Sequence, residues 1–255
     1  GREARWALLE PFLKICDTLA YAHARGIIHR DLKPENVALG EFGEVIVLDW
    51  GLAKIRGRGD TGARQTVMRV QRASSGNETI EGVLGTPGYM APEAAAGELD
   101  QVDERSDVYG LGAMLFELLT GRLPFDTGNV VRWMERSVRE DAPLARTVDA
   151  SVPAELEAVC AAALVRDPAK RLQTAGELAD RIRAWQRASA VERENEGLRG
   201  EAEAALRAAE GLRGDPLVRQ LDRAASAATR LLERAPEDAR GKAVLDAANA
   251  QRERG

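Results

Sequence analysis

The sequence predicts an α+β fold that is predominantly α-helical, with a short β-hairpin and a separate α-helical tail. Three observations support this prediction. Apolar residues recur at helical spacing in several segments, two short β-prone pieces flank a glycine-containing turn, and the composition changes to Ala, Arg, Glu and Leu after about Arg187. We therefore expect two domains, residues 1–187 and residues 188–255.

The first helix is predicted from about Arg5 to Arg25, because apolar residues there recur at steps of three and four. Two such stripes lie side by side and make a wide apolar face, which indicates a buried helix. The stripes consist of Trp6, Leu9, Leu13, Cys16 and Ala20, and of Leu8, Phe12, Ile15 and Leu19. Gly26 follows and is expected to end the helix.

A β-hairpin is predicted next, from β-prone residues 37–39 and 45–48 and the intervening turn Gly40-Glu-Phe-Gly43. It would deliver Asp49 to the same place as Asp31. Further helices are predicted at residues 105–120, 130–137, 153–164 and 174–187. Residues 50–85 are polar and lack periodicity, which is typical of a functional or disordered loop.

The tail after residue 187 is predicted to consist of helical segments separated by glycines at positions 197, 200, 211 and 214. Asp215 and Pro216 are expected to begin one helix, and Pro236 to open the last. The apolar face of the first of these helices contains Leu217, Leu221, Ala224, Ala228 and Leu231. Three alternatives remain for this tail: a helical interaction module of TPR-like lengths without that family's aromatic signature, a coiled-coil stalk, or a marginal or disordered tail.

Composition and charge exclude several classes of function. The 255 residues are 44% hydrophobic and 30% charged, as in an ordinary globular protein, and the formal net charge of -5 gives no reason to expect nucleic-acid binding. No apolar run approaches the ~20 residues of a membrane span, and no signal peptide is visible. Cys16 and Cys160 lie in apolar helical patterns, which favours buried thiols in a reducing compartment, the cytoplasm.

The run His-Arg-Asp-Leu-Lys-Pro-Glu-Asn at residues 29–36 combines the residue types that phosphoryl transfer requires. Asp31 can orient a substrate hydroxyl and receive its proton, Lys33 can balance charge on a transferred phosphate, and Asn36 can hold a metal ion. Taken singly, each residue also has a structural explanation, such as a helix cap for Asp31 or a solvated surface charge for Lys33.

Together with four further motifs in the same order, this run resembles the catalytic C-lobe of Hanks-type bacterial serine/threonine protein kinases. The resemblance implies that Asp31, Lys33, Asn36 and Thr86 are catalytic residues. It implies that ATP is contacted by Lys33, Glu35, Asn36, Ala38 and Asp49. It also implies that Asn36 and Asp49 bind Mg²⁺, a cation that prefers oxygen ligands.

The metal-binding triplet of this resemblance reads Asp49-Trp50-Gly51, whereas most kinases have Phe in the middle. Trp can fill the same hydrophobic position, and the metal ligand is unchanged. His29 is expected to pack beneath this triplet, so we interpret it as structural and not as a base.

The later motifs imply supporting residues. Gly85-Thr-Pro-Gly-Tyr-Met-Ala-Pro-Glu93 resembles the end of a kinase activation segment, in which Thr86 contacts Asp31 and Lys33. Lys33 and the Gly-Thr-Pro-Gly sequence imply serine/threonine specificity.

Two further residue sets are implied to be structural. Asp107 would accept hydrogen bonds from the backbone of the catalytic loop. Glu93 and Arg171 match the buried ion pair of the family.

Arg30 precedes Asp31, and in the family an arginine here often pairs with a phosphate on the activation segment. The resemblance thus suggests phosphorylation within the polar loop. The candidate acceptors are Thr61, Thr66, Ser74, Ser75 and Thr79.

No G-x-G-x-x-G motif precedes His29, and the 28 residues before it are predicted to be helical. A kinase also needs a glycine-rich loop over ATP and a strand lysine, so we expect these 255 residues to be a C-lobe fragment that is inactive alone. The parent would transfer phosphate from ATP to Ser or Thr of a protein substrate, and the tail could bind a protein partner. The alternative is a catalytically silent scaffold that acts through its helical tail.

Overall fold

The computed structural model describes residues 5–55, 86–125 and 128–253. The chain divides into two compact units, Gly1–Arg183 and Ala184–Gly255. The larger unit contains every predicted site residue.

Helix α1, Leu9–Ala24, buries one face made of Leu9, Phe12, Leu13, Ile15, Cys16, Leu19 and Ala22. Arg5 and Trp6 are also helical, as predicted, and a turn at residues 7–8, in which Leu8 N donates to Arg5 O, separates them from α1. Gly26 has φ 74°, a left-handed conformation that favours glycine, and it directs the chain out of the helix.

Four short strands follow. Strands β1, Ile27–Ile28, and β4, Lys54–Ile55, pair antiparallel. Strands β2, Val37–Leu39, and β3, Val45–Val47, form the predicted hairpin, with Val37 opposite Val47. Two 3₁₀ turns, Pro34–Asn36 and Trp50–Leu52, lie on either side of this hairpin.

Helices α2, Pro92–Ala95, and α3, Glu104–Thr120, follow in the second described range, residues 86–125. A capping box begins α3, since Asp103 accepts from the first turn and the Ser106 side chain accepts from Asp103 N. Most of α3 is buried, and it packs against α1 and β1. It is therefore the central helix around which the larger unit is built.

Helices α4, Val130–Arg139, α5, Ala145–Val148, and α6, Ala154–Ala163, complete the packing around α3 and α2. Trp133 of α4 is buried with Met90 and Phe125.

Helix α7, Ala175–Ala209, is one continuous helix. The prediction that Gly197 and Gly200 break the chain is therefore wrong. A glycine inside a helix costs only about 1 kcal/mol, and this helix buries Leu198 and Ala202 on its apolar face.

The smaller unit also contains α8, Asp215–Arg234, and α9, Ala239–Arg252. Gly211 and Gly214, both with positive φ, do separate α7 from α8, as predicted. Pro236 does not open α9, because Asp238 is its N-cap and accepts from Gly241 N. An alanine-rich core joins the helices; it consists of Ala202, Ala205, Ala209, Leu221, Ala224, Ala227, Ala228, Val244 and Ala248.

Across the described ranges, none of the helices combines the length and the apolar character that crossing a membrane requires.

Candidate active site

The loop between β1 and the first 3₁₀ turn carries Asp31, which is 7% exposed. Its Oδ1 accepts a hydrogen bond from Thr86 Oγ1 at 2.8 Å. Its Oδ2 lies 3.2 Å from Lys33 Nζ and accepts from Asn36 Nδ2 at 3.2 Å. The carboxylate is thus oriented by three donors, two from its own loop and one from 55 residues further along the chain.

Thr86 links Asp31 to Lys33. The Lys33 ammonium donates to Thr86 Oγ1 at 2.7 Å, and the same hydroxyl donates to Asp31. The three side chains therefore form a closed triangle, in which a cation stands directly beside the carboxylate. Such a pair can align a hydroxyl group and at the same time balance negative charge next to it.

The hairpin brings Asn36 and Asp49 together. Because Val37 pairs with Val47, the residues just outside that pair are neighbours, and Leu48 N donates to Asn36 O at 2.8 Å. Asp49 follows directly, is exposed, and has φ 56° and ψ 66°.

These two residues fit a magnesium ion by the chemistry of their donors. Asn36 uses its Nδ2 to donate to Asp31 O and Oδ2, so its amide oxygen is the atom left for a cation. The described residues contain no group of three or more Asp, Glu, His and Cys that could hold a metal ion. Mg²⁺ does not need one, since it commonly takes one or two carboxylates together with phosphate oxygens and waters.

His29 connects the catalytic loop with the loop of Asp49. It is fully buried, its Nδ1 accepts from Asp31 N at 3.3 Å, and its Nε2 donates to Leu48 O at 2.9 Å. Since one nitrogen accepts and the other donates, the ring is neutral and carries its proton on Nε2. Both nitrogens are occupied, which is consistent with a structural role.

Asp107 of α3 holds the backbone of the catalytic loop. Its Oδ2 accepts from His29 N and its Oδ1 from Arg30 N, both at 2.8 Å. Arg30 has φ 72°, a conformation that a residue with a side chain seldom adopts. The bond from Asp107, together with the Arg30 Nε bond to Leu52 O, stabilises this conformation immediately before Asp31.

His23, which belongs to none of the sequence motifs, places its Nε2 2.8 Å from Asp107 Oδ2. Its side chain is 8% exposed. The one signal available was that His23 and His29 are the two histidines of the chain.

The segment after Thr86 packs against α3. Gly88 has φ 106°, and a Cβ there would lie 2.8 Å from Leu123, so this position suits only glycine. Tyr89 donates to Glu117 Oε2 at 2.6 Å. Burial, together with this bond to Glu117, raises the pKa of Tyr89 far above its usual range, so the hydroxyl remains a donor.

Glu93 and Arg171 form a buried ion pair with two hydrogen bonds of 2.9 Å. Ser106 Oγ donates to Glu93 Oε1 at 2.7 Å, and Arg171 also donates to the carbonyl of Arg105. The pair therefore ties α2 to α3 and to the segment before α7.

The remaining predicted residues lie near the hairpin. Glu35 is exposed on the turn Pro34–Asn36, and Ala38 lies half-buried in β2 opposite Ile46. The candidate phosphoacceptors Thr61, Thr66, Ser74, Ser75 and Thr79 lie outside the described residues.

A buried aspartate bonded to a lysine and a threonine, beside an amide and a carboxylate suited to Mg²⁺, is the arrangement expected of phosphoryl-transfer proteins. A family model described as "Protein kinase domain" matches residues 5–181. The chain belongs to the protein kinase family.

Three curated relatives show how far the similarity extends. The chain is 41% identical over 170 residues to a probable serine/threonine-protein kinase of Streptomyces coelicolor, which covers 67% of this chain and 23% of the relative. It is 42% identical over 176 residues to the serine/threonine-protein kinase PknB of Mycolicibacterium smegmatis, covering 69% and 26%. It is 37% identical over 178 residues to the serine/threonine-protein kinase PknD of Protochlamydia amoebophila, covering 68% and 18%. The match thus spans about a quarter or less of each relative's length.

Proposed function

We propose that the protein containing this chain is a serine/threonine protein kinase that transfers the γ-phosphate of ATP to hydroxyl groups of protein substrates. The observation that carries this proposal is the triangle of Asp31, Lys33 and Thr86, with contacts of 2.7, 2.8 and 3.2 Å. Similarity to bacterial serine/threonine kinases supports it.

Each side chain of the triangle has a separate role in the proposed reaction. Asp31 accepts a hydrogen bond from the substrate hydroxyl, aligns it for in-line attack, and takes its proton. Lys33 lies beside the transferred phosphoryl group and balances its negative charge. Thr86 fixes the positions of Asp31 and Lys33 relative to each other, because its hydroxyl is hydrogen-bonded to both.

Asn36 and Asp49 would hold Mg²⁺ through their side-chain oxygens. The ion supplies charge neutralisation at the phosphates of ATP when it is bound. Ala38 would contribute to the surface beneath the adenine, and Glu35 would lie next to the nucleotide.

Specificity for Ser and Thr is proposed from Lys33 and from the segment Thr86-Pro-Gly-Tyr89. Gly88 and Tyr89 are buried, and Gly88 cannot accept a side chain without displacing Leu123. This segment lies next to Asp31 through Thr86, so it is placed to form the wall beside a substrate hydroxyl.

We further propose that residues 1–255 do not catalyse transfer by themselves. No glycine-rich G-x-G-x-x-G motif precedes the catalytic loop, and burial of ATP needs a cover as well as a floor. Three apolar side chains of the hairpin that carries Ala38, the residue proposed to lie beneath the adenine, are between 43% and 56% exposed: Leu39, Ile46 and Leu48. The proposal also places the reaction in a reducing compartment, the cytoplasm, because both cysteines are free thiols.

The test is transfer of radiolabelled phosphate from ATP with Mg²⁺, using the full-length protein, Asp31→Asn, Asp49→Asn and the exposed control Asp180→Asn. We expect labelled serine or threonine in the unaltered protein and the control, and its loss in both site variants. Residues 1–255 alone should give no signal.

Absence of transfer in every phosphorylation state of a folded full-length protein would overturn the proposal. It would favour a scaffold that acts through the helical tail. Equal rates in the unaltered protein and in Asp31→Asn would contradict the role given to Asp31.

A further inference from the structure

Trp50, the middle residue of the metal-binding triplet, makes a hydrogen bond that a phenylalanine cannot make. Its indole Nε1 donates to the carbonyl oxygen of Val47 at 3.0 Å. The bond reaches back three residues and therefore spans Asp49. It closes a short turn, residues 47–50, that contains the proposed metal ligand Asp49.

Asp49 needs such support because of its backbone conformation. Its φ of 56° and ψ of 66° place it in the left-handed region, which non-glycine residues adopt rarely, although aspartate does so more readily than most. The Asp49 side chain itself accepts a long hydrogen bond, from Gly51 N to Oδ1 at 3.4 Å. Asp49 is exposed, so neighbouring side chains do not enclose it.

The segment of residues 47–50 also contacts the catalytic loop. The ring of Trp50 meets His29 edge to face, with centroids 4.6 Å apart, and His29 donates to Leu48 O. The carbonyls of Val47 and Leu48, on the residues just before Asp49, are therefore held by Trp50 and His29 respectively. A phenylalanine could retain the ring contact but would leave Val47 O without this donor.

We propose that Trp50 is a positioning residue that holds Asp49 in its metal-binding conformation before metal or nucleotide arrives. The inference deepens the proposed function and rests on it for the role of Asp49. Loss of one hydrogen bond of ordinary strength changes an equilibrium by a factor of about five. We therefore expect that removal of the indole N–H decreases about fivefold the population ratio of Asp49 in the metal-binding conformation to Asp49 in other conformations.

The variant that isolates this bond is Trp50→Phe, made in the full-length protein. Its matched control is Trp133→Phe, because Trp133 Nε1 is buried and has no partner in the described part of the chain. Both variants shorten a ring and remove an N–H, but only the first breaks a hydrogen bond.

The first readout is hydrogen–deuterium exchange of the peptide containing residues 47–53, measured without metal or nucleotide. Trp50→Phe should exchange about fivefold faster there, while the exchange of α3 stays unchanged. Trp133→Phe should leave residues 47–53 as they are. This readout does not depend on activity.

The second readout is the Mg²⁺ concentration that gives half-maximal phosphate transfer. It should rise about fivefold in Trp50→Phe, with the KM for the protein substrate unchanged. A merely structural role would alter the exchange of α3, or both kinetic constants, instead.

Unaltered exchange in residues 47–53 of Trp50→Phe would overturn the inference, and so would an unaltered Mg²⁺ midpoint. If Trp50→Phe does not fold, 3-benzothienylalanine at position 50 replaces it, since this residue keeps the ring size and lacks the N–H. If the unaltered protein transfers no phosphate, the proposed function fails, and the exchange experiment still decides whether Trp50 holds Asp49.

Discussion

His23 Nε2 donates to Asp107 Oδ2 at 2.8 Å and so joins the end of α1 to the first turn of α3. The same oxygen accepts from His29 N, and the other oxygen accepts from Arg30 N. The second ring nitrogen, His23 Nδ1, is buried and has no partner within the described residues. Asp107 is therefore held by α1 on one side while it holds the backbone of the catalytic loop on the other.

Replacing His23 by Phe should destabilise the protein by about 1.5–3 kcal/mol, because it removes one of three donors to a buried carboxylate. His23→Gln can still place an N–H near Asp107 and should recover at least half of the loss. The free energy of unfolding in urea is the measurement. Equal stability of the Phe and Gln variants would show that the hydrogen bond contributes nothing beyond packing.

Thr86 can be tested with two substitutions of similar size. Thr86→Val removes the hydroxyl that joins Asp31 to Lys33, so kcat of the full-length protein should fall by about 10- to 100-fold, the effect expected for hydrogen bonds to charged groups. Thr86→Ser keeps the hydroxyl and should lie within about threefold of the unaltered rate. An unchanged rate in Thr86→Val would remove Thr86 from the site.

Much of the site could be predicted from sequence because its residues lie close together along the chain. Asp31, Lys33 and Asn36 lie within six positions, and the hairpin that returns Asp49 is marked by two β-prone pieces and a glycine turn. Thr86 is predicted only through the resemblance to kinases, because 55 positions separate it from Asp31, the residue it contacts.

His23 could not be found in this way, since its partner Asp107 lies 84 residues further on and belongs to another helix. A local pattern shows only a histidine near the end of an apolar helix.

The tail shows a second limit of sequence reasoning. Gly197 and Gly200 predict breaks by their intrinsic preference, yet both lie inside α7. Among the residues that the structure describes, no atom outside the helix backbone would lie within 4 Å of a Cβ at either position. The helix continues because residues on its other face are buried, and that gain depends on the packing of distant residues.

The ion pair between Glu93 and Arg171 predicts a large loss of stability when one partner is removed. Both side chains are at most 2% exposed, so Arg171→Met would strand a buried carboxylate and should cost about 3–5 kcal/mol. Denaturant unfolding of the variant measures this cost. The double variant Glu93→Gln with Arg171→Met removes the stranded charge and should recover part of the loss; if it is no more stable than Arg171→Met, charge is not the cause.

The two cysteines predict how stability depends on alkaline pH. Burial raises the pKa of Cys16 and of Cys160 far above the ordinary value for a thiol, and nearby Asp17 adds to the effect at Cys16. The folded state keeps both protons at a pH where unfolded thiols, with pKa about 8.5, begin to lose theirs. This contribution to stability is complete below pH ~8.5 and is lost as the pH rises above it, by about 1.4 kcal/mol per pH unit for each thiol.

Urea unfolding between pH 7 and pH 9.5 tests this sign. Cys160→Ala lowers stability at every pH because it leaves a cavity, but it should also reduce the slope above pH ~8.5 by about half, since one of two ionising thiols is gone. Below pH 8 its curve should run parallel to that of the unaltered protein. Parallel curves over the whole range would show that Cys160 ionises alike in both states, and rapid alkylation of the folded protein at pH 8 would support that result.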